Sequence, residues 1–600
     1  MATQSVDDGA IPPLGGPVVD PSSVPAAKRV KLHGRAFYES IGSPKWVVAP
    51  MVEQSEFAWR MLTRSFLPPD QSPKLLAYTP MFHSRMFADT PKYRDSHFQP
   101  LRSFLPSPVD NYHISQLPES EWHLDGNPKF DRPLFVQFCS NSPDDLLAAA
   151  KHVAPFCDAV DLNLGCPQGI AKRGNYGAFL QEDWDLISRM IRRLHEELDV
   201  PVTAKMRVLE TKEKTLEYAK TLLNAGASII TVHGRRREQK GHNTGLADWS
   251  FIRYLRDNLP PETVIFANGN ILQHEDIDKC LAATGADAVM SAEGNLYDPT
   301  IFSEPPPPGQ EGSEYWRGRD GKGGYRVDAV MRRYMDIIHK YALGVPPPQR
   351  KPLFLPSGVT EPEAQVTKAQ CGEKRAANGE EEQANKRQKM SKSDRRQQVT
   401  NPNLTAMQAH LFHLLRPLVS QHHNVRDALA RCRVGEIENF ENVLRLVEEA
   451  VKEGLIAYEK ESSDQKGLTS IVNGTNGEPK ENTSTPNVEA TNPAEFNLDP
   501  YTSSLATVAR CKRPFWVCQP YVRPLPKEAI EKGSMQLSKK EKAKLAKEEE
   551  EKQRGEEAES TAVGLVPGGR VEKQVKGKRE GDGDGEGEVV EVPKEGVVCG

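Results

Sequence analysis

Eight short apolar runs, each closing on glycine or polar residues and most followed by a helical pattern, leave this chain few ways to fold. They are Trp46–Met51, Leu75–Thr79, Leu134–Cys139, Ala159–Leu164, Val202–Met206, Ile229–Val232, Val264–Ala267 and Ala288–Ser291. Eight strands with their helices over about 260 residues is the count of a (β/α)8 TIM barrel. A doubly wound open sheet competes, but no early G-x-G-x-x-G supports it. The Gly-rich and polar residues all follow the strands, at the end that carries the active site in a barrel.

The remainder is organised around that unit. Six hundred residues exceed one core, and 37 % hydrophobic residues, a mean hydropathy of −0.60, 47 Pro and 44 Gly imply a large disordered share. Residues 1–44 read as a disordered leader and 45–305 as the barrel, which carries a Pro-rich aromatic insertion at 101–132. A linker follows Phe302. Helical patterns at 325–345 and 400–460 form a small helical domain split by a disordered charged insert, 346–399. Residues 461–504 read as linker, 505–526 as a compact aromatic and Arg segment, and 527–600 as a disordered charged tail.

A net charge of −5 does not by itself favour nucleic acid, and nine scattered cysteines point to a reducing compartment. The first residues lack a signal-peptide pattern, and no stretch nears eighteen apolar residues, so no membrane span is expected. The basic cluster Pro25–Leu32 and the bipartite Lys374-Arg375 and Lys386-Arg387-Gln388-Lys389 suit nuclear import or solvated charge. They lead to an expected location in nucleus and cytoplasm. The Cys511–Arg523 island suits either RNA contact or a strap on the barrel. Its two cysteines lack further ligands, so no structural metal is expected.

The chemistry concentrates at Asp158–Leu180. The fourth strand stops at Gly165-Cys166-Pro167, which places a thiol at the strand's mouth on a stiff turn. Lys172 and Arg173 follow six and seven residues later. Lys205 follows Val202, Thr203 and Ala204 in a strand, where an unpaired buried ammonium is costly and a bound anion or ring is a natural partner. His233 also ends a strand. The loops Asn268-Gly269-Asn270 and Ala292-Glu293-Gly294 follow the seventh and eighth strands, where barrels often cradle phosphate.

VVAPMVEQSEFAWR, DLNLGCPQGIAKRGNYGAFL, VTAKMRV, TVHGRRREQKG and FANGNI, in this order, resemble the tRNA-dihydrouridine synthases. Thr244–Trp249 and WVCQPYVRP look most like the eukaryotic class acting at D-loop positions 16 and 17. The resemblance implies an FMN-dependent oxidoreductase that uses NADPH or NADH to reduce the uracil C5–C6 bond in tRNA, with Cys166 as proton donor to C5. It implies cofactor contacts from Pro50, Met51, Val52, Gln137, Lys205, His233, Asn268, Gly269, Asn270, Ala292 and Glu293. Glu293 stands where many bacterial members carry an Arg, which leaves backbone N–H groups to serve the phosphate. Asn163, Lys172, Arg173, Arg235 and Lys240 are the implied substrate contacts, with Arg426, Arg431 and Arg433 as further candidates to track the tRNA backbone. A monomer is expected. The alternatives are a free-pyrimidine or dihydroorotate-type flavin enzyme and a non-catalytic RNA-binding protein on the same scaffold.

Overall fold

The structure, a computed structural model, describes residues 31–102, 114, 116–356, 401–472 and 503–531, with backbone alone for 462–472. Nine strands come first in the chain: β1 Trp46–Val48, β2 Leu75–Tyr78, β3 Phe82–His83, β4 Leu134–Cys139, β5 Ala159–Leu164, β6 Val202–Arg207, β7 Ala227–His233, β8 Val264–Asn268 and β9 Ala288–Ser291. They pair in the order β2-β1-β9-β8-β7-β6-β5-β4, all parallel, and β2 also pairs with β4 through Ala77 and Leu134. That last pairing closes the ring, and the two-residue β3 merely extends β4. The eight-strand ring with its outer helices is the (β/α)8 barrel that the sequence predicts.

The outer helices follow from their spacing. In Trp184–Glu197, Ile187, Met190, Ile191 and Leu194 fall on one face and are buried, while the Asp183 carboxylate accepts the Leu186 N–H as an N-cap. Ser142 caps Pro143–Val153 in the same way, through the Asp145 N–H.

Three stretches differ from expectation. The supposed leader is folded from residue 31: helix α1, Gly34–Ser40, buries Phe37 and Tyr38. The Phe37 ring stacks on Phe135, and the Tyr38 hydroxyl donates to the carbonyls of Pro44 and Asp287. Two aromatics, nine and eight residues ahead of the first strand, suffice to anchor a segment whose composition looks disordered. Lys31, in the basic cluster, donates to the carbonyls of His195 and Leu198 at a helix C-terminus. The linker after Phe302 contains a hairpin, Tyr315–Arg317 with Gly323–Tyr325. The last long helix runs from Ile437 to Val472, past the expected boundary at 460. The bipartite basic pair and the charged tail beyond 531 lie outside the described residues.

The helices beyond the barrel share its core. Helix α2, Phe57–Arg64, sits at the mouth of β1, and its Trp59 ring stacks on His410 at 3.9 Å with planes 2° apart. The His410 Nε2 meets the Glu56 carboxylate at 2.9 Å, and Asn403 Oδ1 accepts the Ala58 N–H. Asn401, opening the helix Pro402–Leu414, donates to the Ala342 carbonyl at 3.5 Å, so the chain before the charged insert and the chain after it lie side by side.

The Cys511–Arg523 island is packed down. Val327 N–H donates to the Trp516 carbonyl and Cys518 N–H to that of Tyr325, and Trp516 and Val517 are buried. A side chain at Gly454, on the Ile437–Val472 helix, would begin 2.5 Å from the Trp516 ring, so the missing Cβ makes the groove for the indole. Burying one such ring, about 200 Å², contributes roughly 5 kcal/mol.

Candidate active site

Cys166 is held by its backbone from every side. Asn163 Oδ1 accepts the N–H groups of Gly165 and Cys166 at 3.1 and 2.9 Å. The Cys166 carbonyl accepts the Ala178 N–H at 3.0 Å, and Arg207 Nε donates to the Gly165 carbonyl at 2.8 Å. Gly177 has φ +65°, and an added Cβ would lie 2.8 Å from the Cys166 carbonyl oxygen, so only glycine fits. The thiol lies buried in a small cluster with Cys139, Ala171 and Tyr176, flanked by Val52, Met81 and Phe179. Burial and the neighbouring Cys166 push the Cys139 thiol well up, so Cys139 stays neutral.

Below this turn a chain of side-chain hydrogen bonds crosses the barrel. Asn163 Nδ2 donates to Gln137 Oε1 at 2.8 Å, Gln137 Nε2 to Asp161 Oδ2 at 2.8 Å, and Thr203 Oγ1 to Asp161 Oδ1 at 2.6 Å. Burial pushes the Asp161 carboxyl up to about 6, against the pull of Thr203, Gln137 and Lys205. Lys205 pairs in register with Asn163 and is buried. Its ammonium acts on Asp161, so it has a counter-charge in the protein itself beside any bound anion or ring.

Next to the thiol turn, a cavity of about 320 Å³ opens between the ends of β7, β8 and β9 and the segment 503–525. Pro167, His233, Arg235, Lys240, Asn268, Gly269, Asn270, Ala292 and Glu293 all line it. His233 Nε2 lies 2.9 Å from the Arg235 guanidinium, a donor only. Burial, then Arg207, Arg235 and Lys205, depress the imidazole far below its usual range. The ring is therefore neutral with its proton assigned to Nδ1, and that N–H has no partner among the described residues. Asn268 Nδ2 donates to the Met290 carbonyl, while its Oδ1 is equally unmet. Burial and Arg207 bring the Arg235 guanidinium down to about 10; its partners are His233, the Gly245 carbonyl and Asn270 Oδ1, all neutral.

The expected site residues therefore divide among several places. Val52 joins the thiol cluster, while Pro50 and Met51 are buried at the end of β1. The side chains of Gln137 and Asn163 are engaged in the polar chain, and Asn270 braces Ala247 through both its amide atoms. Lys240 ties two loops together through the Pro167 carbonyl at 2.7 Å. Lys172 and Arg173 are exposed on the short helix Gly169–Arg173 and do not line the cavity. Arg426 and Arg431 are exposed on the helix His423–Arg431, and Arg433 is exposed just after it. Sequence reasoning missed Asp161, Arg207, Arg510 and Arg523. The first two were visible as inward-facing partners two residues from Asn163 and Lys205 on their strands.

The donor set suits a flavin. A buried N–H and a buried carbonyl oxygen await a heterocycle at His233 and Asn268, and Gly269 and Gly294 let the turns beside them pack closely on the protein. An added Cβ would meet Ala247 at 2.6 Å and the Ile271 carbonyl at 2.3 Å respectively. Among the described residues no group of His, Cys, Asp and Glu suits a metal ion, and no helix is long and apolar enough to cross a membrane.

Residues 47–315 match the family model described as Dihydrouridine synthase (Dus). The chain is 38 % identical over 497 residues to the tRNA-dihydrouridine(16/17) synthase [NAD(P)(+)] of Schizosaccharomyces pombe, covering 82 % of this chain and 92 % of that protein. Against the Saccharomyces cerevisiae protein of the same name it is 39 % identical over 541 residues, 89 % of this chain and 98 % of the other. A mouse tRNA-dihydrouridine(16/17) synthase [NAD(P)(+)]-like protein is 45 % identical over 275 residues, 45 % of this chain and 50 % of its own. Likeness of this extent, running through barrel and helices alike, means that the chain belongs to the dihydrouridine synthase family.

Proposed function

We propose that this oxidoreductase reduces the C5–C6 double bond of uridine at positions 16 and 17 of the tRNA D-loop to 5,6-dihydrouridine, with FMN as cofactor and NADPH or NADH as reductant. The observation that carries the reading is the thiol of Cys166, fixed at the β5 mouth beside a cavity whose unmet donor and acceptor suit a heterocycle. The printed names of the two fungal relatives support the position and the nucleotide reductant. When bound, FMN supplies a hydride from N5 to uracil C6.

The protein's own groups do the rest. Cys166 Sγ holds the proton that goes to C5, and a thiol, with a reference pKa near 8.5, is mostly protonated yet able to donate at neutral pH. Asn163 sets the direction of that thiol by fixing the two amides of its turn. His233 and Asn268 present a neutral donor and an acceptor to the ring, and the Gly269, Asn270, Ala292 and Glu293 turns face the phosphate. Lys205 and Gln137 form the polar floor. A uridine within folded tRNA must be turned out of its loop to reach such a mouth. The exposed Lys172, Arg173, Arg426, Arg431 and Arg433 suit the RNA backbone outside it. The two basic clusters support a reading in which the enzyme works in nucleus and cytoplasm.

Mass mapping of tRNA from cells whose only copy carries Cys166→Ala tests the assignment. Uridine is expected in place of dihydrouridine at positions 16 and 17, with flavin still present in the purified variant. Undiminished dihydrouridine there would remove Cys166 from the mechanism.

A further inference from the structure

The cavity beside His233 has two walls that lie more than 200 residues apart in the chain. One is the barrel's own rim, Asn268–Leu272 and Ser291–Gly294; the other is Ser503, Ser504, Thr507, Arg510 and Tyr521–Arg523 with Leu525. Five cationic side chains line it, Arg207, Arg235, Lys240, Arg510 and Arg523, against one carboxylate, Glu293. Such an imbalance around a concave site attracts an anion.

The five cations are not equally available. Arg207 is engaged by the carbonyls of Gly165, Arg236 and Gln239, Arg235 by three neutral acceptors, and Lys240 by the Pro167 carbonyl. Arg510 is tied to the fully buried Asp276 at 2.8 Å. Arg523 differs: its Nε and Nη2 reach a single oxygen, Glu293 Oε1, at 2.9 and 2.8 Å, and its side chain is 45 % exposed. A guanidinium has five N–H donors, more than one carboxylate oxygen can accept. The segment that carries it is well anchored. Arg416 lies over the Tyr521 ring at 3.6 Å, and Tyr521 packs against Tyr297 at the end of the short helix that Glu293 opens.

We propose that the 503–525 segment is the outer wall of the cofactor's phosphate site, and that Arg523, positioned by Glu293, clamps the phosphate from across the cavity. Glu293 then recruits a cation from a segment 230 residues away and so supplies to the site the charge that its own side chain lacks. This rests on the flavin reading above.

The test titrates the full-length protein, stripped of flavin, with FMN and with riboflavin, which lacks the phosphate, following flavin fluorescence. Wild type should bind FMN more tightly than riboflavin. Arg523→Ala should weaken FMN about tenfold, the worth of one charge-assisted hydrogen-bonded contact, and leave riboflavin within about twofold. Glu293→Gln keeps a side-chain oxygen that positions Arg523 while removing a negative charge that repels phosphate, so it should tighten FMN severalfold with riboflavin unchanged; it decides the matter if Arg523→Ala fails to fold. Equal effects of Arg523→Ala on both flavins, or none on either, overturn the clamp, as does a Glu293→Gln variant that changes FMN and riboflavin affinity alike. Wild type that binds neither flavin overturns the FMN reading itself, whereas wild type that binds both while Arg523→Ala changes nothing overturns only the clamp.

Discussion

Asn163→Ala is the substitution that most directly separates a positioned thiol from a merely buried one. The side chain meets three buried groups: the N–H of Gly165, the N–H of Cys166 and Gln137 Oε1. Its loss strands all three, and an unmet buried polar group costs about 1–3 kcal/mol. The vacated space is polar and adjoins the cavity, so entering water offsets part of that. A net loss of about 3–5 kcal/mol of local stability is expected. With its two amides released, the Cys166 turn should open, and the buried thiol should alkylate at least tenfold faster with iodoacetamide. Asn163→Asp sharpens the reasoning. It keeps both N–H contacts, so the turn and its alkylation rate should stay near wild type. It cannot donate to Gln137, however. The Gln137 amide must then turn over, which sets its oxygen against Asp161 and favours the protonated form of that carboxyl. Measured by urea unfolding with tryptophan fluorescence and by timed alkylation, Asn163→Ala within 1 kcal/mol and twofold of wild type would refute the claim that this amide holds the thiol.

Two further outcomes are expected. Gly177→Ala forces a left-handed residue to carry a Cβ 2.8–2.9 Å from Cys166 backbone and side-chain atoms. Roughly 1–2 kcal/mol of conformational strain and 1–3 of overpacking should lower the melting temperature and displace the thiol, seen as a changed alkylation rate. Asp161 tests pH dependence. Its folded pKa of about 6 lies above the unfolded reference near 3.9, so the native state binds the proton more tightly. Its contribution to stability is therefore present at low pH, is lost between about pH 4 and 6 as the group ionises, and is level above that. The span is about 3 kcal/mol. Asp161→Asn should abolish that share of the slope between pH 4 and 7 in denaturant titrations; an unaltered slope would show that the carboxyl titrates normally.

The sequence made much of this architecture legible because a barrel repeats its signal. Each strand is an apolar run with a polar stop, and eight repetitions outweigh doubt about any one. The Cys166 turn was legible for a similar reason, since Gly-Cys-Pro after a strand determines both place and stiffness. Contacts that span the chain were not legible. Nothing near Glu293 announces Arg523, because the pair exists only once the aromatic segment has docked through Trp516. The helix at 34–40 was hidden by the Pro, Gly and Ser around it, as two buried rings do not alter a segment's average composition. The role of Asn163 lay in between. Its bond to an amide three residues on is a local pattern, whereas its bond to Gln137 needed the neighbouring strand.

The hydrogen bond from Asn401 to the Ala342 carbonyl has a consequence for how such a chain can change. The backbone passes Ala342 beside Asn401, and the residues after Ala342 stay packed through Arg350 on Asp336 and Glu441 and through the Phe354 carbonyl on Arg326, so the two described ends that flank the charged insert are both held. Loop-closure entropy grows only logarithmically, about 0.6 kcal/mol for each doubling of length. Residues can accumulate or vanish there with little effect on the packing of Trp59 against His410. This is the doorway through which a charged tract, a targeting sequence or a whole extra domain can enter the enzyme without touching its chemistry.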